Sequence, residues 1–151
     1  MVFYLYRTRT RPNTTDGVLC AANGRRICDT AEHTPTMLPR GEYTIVLKQN
    51  KKYGHRAPWV TSRCPSDIPL QNPPTVRGEM EGGSFKGGGK IGKAFILHGN
   101  GVYAKRFGAT IIVGEHFVPG VVINSRHYFD LLLKRIEKAL MRGNTIELII
   151  R

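Results

Sequence analysis

The chain has 151 residues, which suits one domain with a real core and leaves little room for two. Hydrophobic residues make up 40% and charged residues 23%, a composition that excludes wholesale disorder. The net charge of +12 is unusual and points toward anionic partners: nucleic acid, anionic lipid headgroups or acidic envelope polymer.

Val2 to Thr8 alternates aromatic and aliphatic residues, which predicts a strand ended by Pro12-Asn13. Asp16-Gly17 reads as a turn ahead of the short apolar run Val18-Leu19-Cys20. Asn23-Gly24 is the strongest hairpin signal in the chain and leads into Arg26-Ile27-Cys28. After a turn at Pro39-Arg40-Gly41, Glu42 to Leu47 is a β-branched strand. From about 48 to 93, five prolines and eight glycines break any period, so this stretch reads as a long irregular excursion with one short strand around Trp59.

Order returns with Ala94 to His98, a strand ending at a histidine, and with strands at Thr110 to Val113 and Val121 to Ile123. Ser125 is the expected helix N-cap. Phe129, Leu132, Leu133, Ile136 and Leu140 share one face, and Gly143 is the stop. Thr145 to Ile150 closes the chain as a strand. These elements predict one domain over 1–151, mainly β with some α+β character: one C-terminal amphipathic helix against a mostly antiparallel sheet.

The opening residues lack the apolar core and cleavage site of a signal peptide, so synthesis in the cytoplasm is expected. No run approaches the roughly 18 apolar residues of a membrane span. Cys20, Cys28 and Cys64 form no CxxC pair and leave an odd count, so reduced thiols are the default. No metal and no cofactor is expected. The basic residues cluster as Arg7, Arg9 and Arg11, as Lys48, Lys51 and Lys52, and as Lys86, Lys90 and Lys93. Without a basic helix or an RNA-binding signature, each cluster reads as solvated loop and specific nucleic-acid binding is not expected.

Gly87 to Ala94 nearly spells a phosphate-binding loop, but Ala94 replaces the magnesium-holding Ser or Thr and a strand follows where a helix should start. Nucleotide hydrolysis is therefore not expected. Ile96-Leu97-His98-Gly99-Asn100-Gly101, followed by Phe107-Gly108-Ala109-Thr110-Ile111-Ile112-Val113-Gly114, is more informative. A histidine at a strand end and a glycine entering a second strand can set a general base beside a nucleophile. The plainer alternative is a buried histidine hydrogen-bonded in a turn.

This stretch resembles the signature of a small bacterial and phage domain family related to the L,D-transpeptidases, in which a histidine-glycine turn precedes a Ser/Thr-x-Gly-Cys motif. The resemblance runs through most of the chain: Gly17-Val18-Leu19, Ile27 to Glu32, Leu38 to Tyr43, and Val122 to Arg126 with the helix. It implies a β-sandwich or barrel, and His98 as the base that draws the proton from a thiol. It places Gly108 before the nucleophile, where backbone N–H groups form an oxyanion hole. Gly99, Asn100, Ser125 and Arg126 fall in the segments it would use for substrate binding. The departure is at Ala109, which occupies the cysteine position; shifting by one puts Thr110 there, and Arg106 stands where Ser or Thr belongs. An engineered Cys→Ala replacement and a natural pseudoenzyme both account for Ala109.

The implied parent activity is cysteine acyl transfer or carboxypeptidase action on peptidoglycan stem peptides, inactive in the chain as written. The implied partners are the stem peptide or another anionic envelope polymer, with delivery to the periplasm as an antibacterial effector beside an immunity or delivery protein. Two other readings stand: a non-catalytic binding or structural domain of a phage or mobile element, and a basic nucleic-acid-binding module.

Overall fold

The structure is a computed structural model that describes residues 1–50, 55–62, 94–99 and 109–151. Among these, nine strands share one curled sheet: β1 (Val2–Thr10), β2 (Thr14–Ala21), β3 (Arg26–His33), β4 (Gly41–Asn50), β5 (His55–Ser62), β6 (Ile96–Leu97), β7 (Ile111–Val118), β8 (Val121–Ile123) and β9 (Glu147–Ile150). The order is β5-β4-β9-β1-β2-β3-β7-β6, and β8 folds back on β7. The fold is mainly β, as expected, with helix α1 (Ser125–Met141) and one 3-10 turn at Thr34–Thr36.

The ends of the sheet approach each other. Trp59 bridges Phe95, and the Val60 N–H donates to the Ala94 carbonyl at 2.7 Å, so the sheet curls into an incomplete barrel. One hydrophobic cluster fills it, with Phe3, Leu5, Ile45, Ile112 and Leu148 sealed from solvent. Most pairings are antiparallel, but β9 runs parallel to β1 and antiparallel to β4, and β6 runs parallel to β7. The last strand thus sits at the centre of the sheet beside the first.

The Asn23-Gly24 hairpin forms as expected, with Gly24 at φ +88°. The Asp16-Gly17 turn does not: both residues lie inside β2, which begins at Thr14. Gly17 is required there by close packing. A Cβ would sit 2.6 Å from Thr30 Oγ1 and 2.9 Å from the Tyr6 carbonyl oxygen. The strand around Trp59 extends over His55–Ser62. Pro58 is tolerated in it because β5 ends the sheet order, where a missing N–H costs no central ladder bond.

Helix α1 buries Phe129, Leu132, Ile136 and Ala139, with Leu133 and Leu140 half-buried beside them. Its expected cap is corrected. Asn124 precedes the helix in the left-handed region (φ 53°, ψ 29°) and makes no side-chain cap, while Ser125 is the first helical residue. Gly143 ends the helix at φ +83°, as expected.

Candidate functional site

The histidine-glycine turn is built where β6 ends. Ile96 and Leu97 are buried and pair with Ile111 and Ile112, and the chain then emerges at His98 and Gly99, both half-buried. The Ser125 hydroxyl explains the turn's position: it donates to the Val113 carbonyl and accepts from the Gly99 N–H at 2.9 Å. The hydroxyl that was expected to cap the helix therefore ties α1 to β6 and β7. The His98 ring lies edge-on to Phe129, with centroids 5.1 Å apart and planes at 65°.

His98, Gly99 and Ser125 are thus brought together. Ser125 is 1% exposed, so its contribution is to hold the turn rather than to meet a ligand. Arg126 turns outward, with its Nε 3.2 Å from Asp130 Oδ1 in an exposed pair one helical turn apart. Asn100 and Gly108 lie outside the described residues, and with Gly108 the expected oxyanion hole.

Ala109 stands elsewhere. It is buried, just before β7 begins. The parallel register sets Leu97 opposite Ile112, so His98 continues to the level of Val113. Position 109 lies two residues ahead of the start of β7 at Ile111, on the far side of the pairing from Val113. His98 and Ala109 therefore stand at opposite ends of the β6–β7 pairing.

The described thiols are no substitute. Cys20 and Cys28 are both buried. Burial pushes the Cys28 thiol up to about 12, with the neighbouring Asp29 charge adding to the effect, so it stays protonated at neutral pH. Cys28 is a core residue of β3. Cys64 lies outside the described residues.

A second polar cluster, unforeseen from sequence, joins the β2–β3 hairpin to β7. His116 Nε2 donates to the Thr30 carbonyl at 3.0 Å, and its Nδ1 is 3.6 Å from Asp29 Oδ2. The His116 backbone N–H donates to the same Asp29 oxygen at 2.8 Å, while Arg26 holds Oδ1 at 3.0 Å through Nε. Asp16 is held by Arg11 at 2.6 Å and by the Gly120 N–H at 3.0 Å. Burial alone would raise the Asp16 carboxyl, but the hydrogen bonds from Arg11 and Gly120 and the Arg11 charge hold it below its ordinary value. Gly120 sits at φ +80°, and a Cβ there would lie 2.7 Å from Thr14 Oγ1.

With their oxygens occupied by guanidinium and amide groups, these carboxylates act as clamps. No group of three or more His, Cys, Asp or Glu able to hold a metal ion occurs among the described residues. Sequence distance hid the cluster, since Asp16 and Gly120 are 104 positions apart.

The basic clusters also change meaning. Arg7 is sealed against Glu32, Arg11 is paired with Asp16, and Arg9 is exposed with no ion pair among the described residues. Lys48 lies 3.8 Å over the Trp59 ring. Lys51, Lys52, Lys86, Lys90 and Lys93 lie outside the described residues. No protein-family model, curated protein or solved structure matches the chain.

Proposed function

We propose that the protein is a non-catalytic binding domain on an L,D-transpeptidase-like scaffold, holding a peptidoglycan stem peptide or related anionic envelope polymer without cutting it. The observation that carries this reading is the β6–β7 register. It puts His98 and position 109 at opposite ends of the strand pairing, and the Ala109 side chain has no nucleophilic atom. The buried thiols of Cys20 and Cys28 supply no alternative nucleophile. What is retained at the end of β6 is a half-buried imidazole braced by Phe129, on a turn braced by Ser125, within a protein of net charge +12. A His98-Gly99 segment held in this way in a cationic protein suits capture of a short, carboxylate-bearing peptide.

One observation favours a second reading, an L,D-transpeptidase-like enzyme silenced at position 109. His98 does stand at a strand end and is followed at once by a held glycine, as the family resemblance implies. One experiment separates the two. The chain as written and its Ala109→Cys variant are incubated with purified sacculi and muropeptides. The binding reading expects co-sedimentation with sacculi, weakened by His98→Ala, and unchanged stems with Ala109→Cys. Shortened or cross-linked stems with Ala109→Cys, abolished by adding His98→Ala, overturn it in favour of the silenced enzyme. No co-sedimentation overturns it outright.

A further inference from the structure

Helix α1 has two faces, and among the described residues one of them packs into the core. Phe129, Leu132, Ile136 and Ala139 point into the core. At 100° per residue, the opposite face presents His127, Asp130, Leu131, Lys134, Lys138 and Met141, with Arg135 and Arg142 along one flank and Glu137 along the other. Lys134, Arg135, Lys138 and Arg142 are exposed, and none of them makes an ion pair among the described residues. The acids of this face are Asp130, which pairs with Arg126, and Glu137, so cations outnumber acids on it. The sequence reading registered no basic helix because these cations alternate with apolar residues. Folding sorts the two kinds onto faces.

Two of the apolar residues did not go inside. Leu131 is 50% exposed and Met141 88%, both among the cations. Beside them a shallow groove of about 660 Å³ runs between the last helical turns and the chain start, lined by Met1, Lys138, Met141, Arg142 and Asn144 among others. Favourable interaction with the helix dipole accounts for cations at the C-terminal end. It does not account for two large apolar side chains held in water next to them.

The mixture selects the partner. A nucleic-acid backbone would use the cations, but gains nothing from Leu131 and Met141, and this outward stripe carries no Phe, Tyr or Trp to stack on bases. A bilayer with anionic headgroups uses both: lysine and arginine reach the phosphates, while leucine and methionine enter the interface. Contact would be peripheral, since no helix among the described residues is long and apolar enough to cross a membrane. We propose that the outward face of α1, from His127 to Arg142, docks on an anionic lipid surface, with Lys134 and Lys138 on headgroups and Leu131 and Met141 below them. This site is separate from the His98 turn and does not rest on the binding reading given above.

The test is vesicle co-sedimentation of the full chain. Vesicles of phosphatidylcholine and phosphatidylglycerol in equal parts should capture the protein, and phosphatidylcholine alone should not. Lys134→Glu with Lys138→Glu should weaken capture by about tenfold or more, given the usual contribution of each juxtamembrane lysine. Arg25→Glu with Arg40→Glu changes net charge equally at exposed sites elsewhere and should have little effect. Leu131→Ser with Met141→Ser should remove the capture that survives high salt. Equal loss from the two charge-reversal pairs would reduce the effect to net charge and overturn the proposal. So would absence of capture by the mixed vesicles. Binding of duplex DNA through Lys134 and Lys138 without vesicle binding would reassign the face to nucleic acid and equally overturn it.

Discussion

Arg7 and Glu32 form a bidentate ion pair with both side chains out of reach of water. Arg7 Nε donates to Oε2 at 3.0 Å and its terminal nitrogen to Oε1 at 2.8 Å, with side-chain exposures of 2% and 0%. The same terminal nitrogen reaches the Leu38 carbonyl at 2.7 Å, tying β1 and β3 to the segment ahead of β4. Desolvation of two charges offsets most of their attraction, so the pair adds little net stability while making each partner costly to remove.

Arg7→Met should therefore destabilise the fold by about 3–5 kcal/mol in urea unfolding, because it strands a buried carboxylate. Adding Glu32→Leu should recover most of that loss. Burial already pushes the Glu32 carboxyl above its ordinary 4.5, with Arg7 pulling against it. Without Arg7 the upward push is unopposed. A carboxyl raised in the folded state is least costly when protonated, so the Arg7→Met variant should gain stability relative to wild type as pH is lowered from neutral toward 4.5. A deficit that stays constant with pH would contradict this assignment.

Asp16 behaves in the opposite sense. Its carboxyl is held below the ordinary 3.8, so the stability it contributes is present above that value and lost as pH falls through the depressed one. Asp16→Ala should cost about 1–3 kcal/mol at neutral pH, since Arg11 and the buried Gly120 N–H lose their acceptor. The gap between variant and wild type should narrow below pH 3.8. Stability curves against pH for the two proteins check this, and parallel curves would count against it.

The thiol assignments predict chemical silence. In a Cys64→Ser background, the native protein should react with a thiol reagent at mildly alkaline pH only as fast as it opens. Both remaining thiols should react promptly once it is unfolded. Rapid labelling of the folded protein would show that Cys28 is not the sealed group its position in β3 makes it.

Gly17 tests the close packing of β1, β2 and β3. Gly17→Ala should destabilise by about 1–3 kcal/mol, because its Cβ meets the Tyr6 backbone as well as Thr30 Oγ1. Thr30 Oγ1 is buried with no hydrogen-bond partner among the described residues, so trimming it sacrifices none of their hydrogen bonds. Thr30→Ala should consequently return part of the Gly17→Ala loss, and a double-mutant cycle with no coupling would refute the contact.

Much of the architecture was legible because it is local. The alternation in β1, the Asn23-Gly24 hairpin, the face of α1 and the β-forming Glu147–Ile150 all follow from neighbours in the chain. Asp16-Gly17 misled for the same reason. The dipeptide is a turn signal in isolation, and only the approach of Tyr6 and Thr30 reveals why a glycine is needed inside a strand. At the His98 turn, sequence spacing located the histidine at a strand end but not its supports. Ser125 lies 26 positions away from Gly99 and comes into contact only when α1 packs on β7.

The sequence by itself determined that this protein is mainly β with a C-terminal amphipathic helix, that its charge is strongly positive and that position 109 carries no nucleophile. Those are properties of composition and short-range period. Tertiary structure alone decided the rest. It inserted β9 between β4 and β1, and spent Arg7 and Arg11 on buried carboxylates. It sorted the helix into an apolar face and a basic one, and set His98 level with Val113 instead of Ala109. The physical reason is common to all four. Strand register and ion pairing are fixed by burying apolar surface between segments far apart in the chain, and no local pattern encodes which distant segment will be the partner.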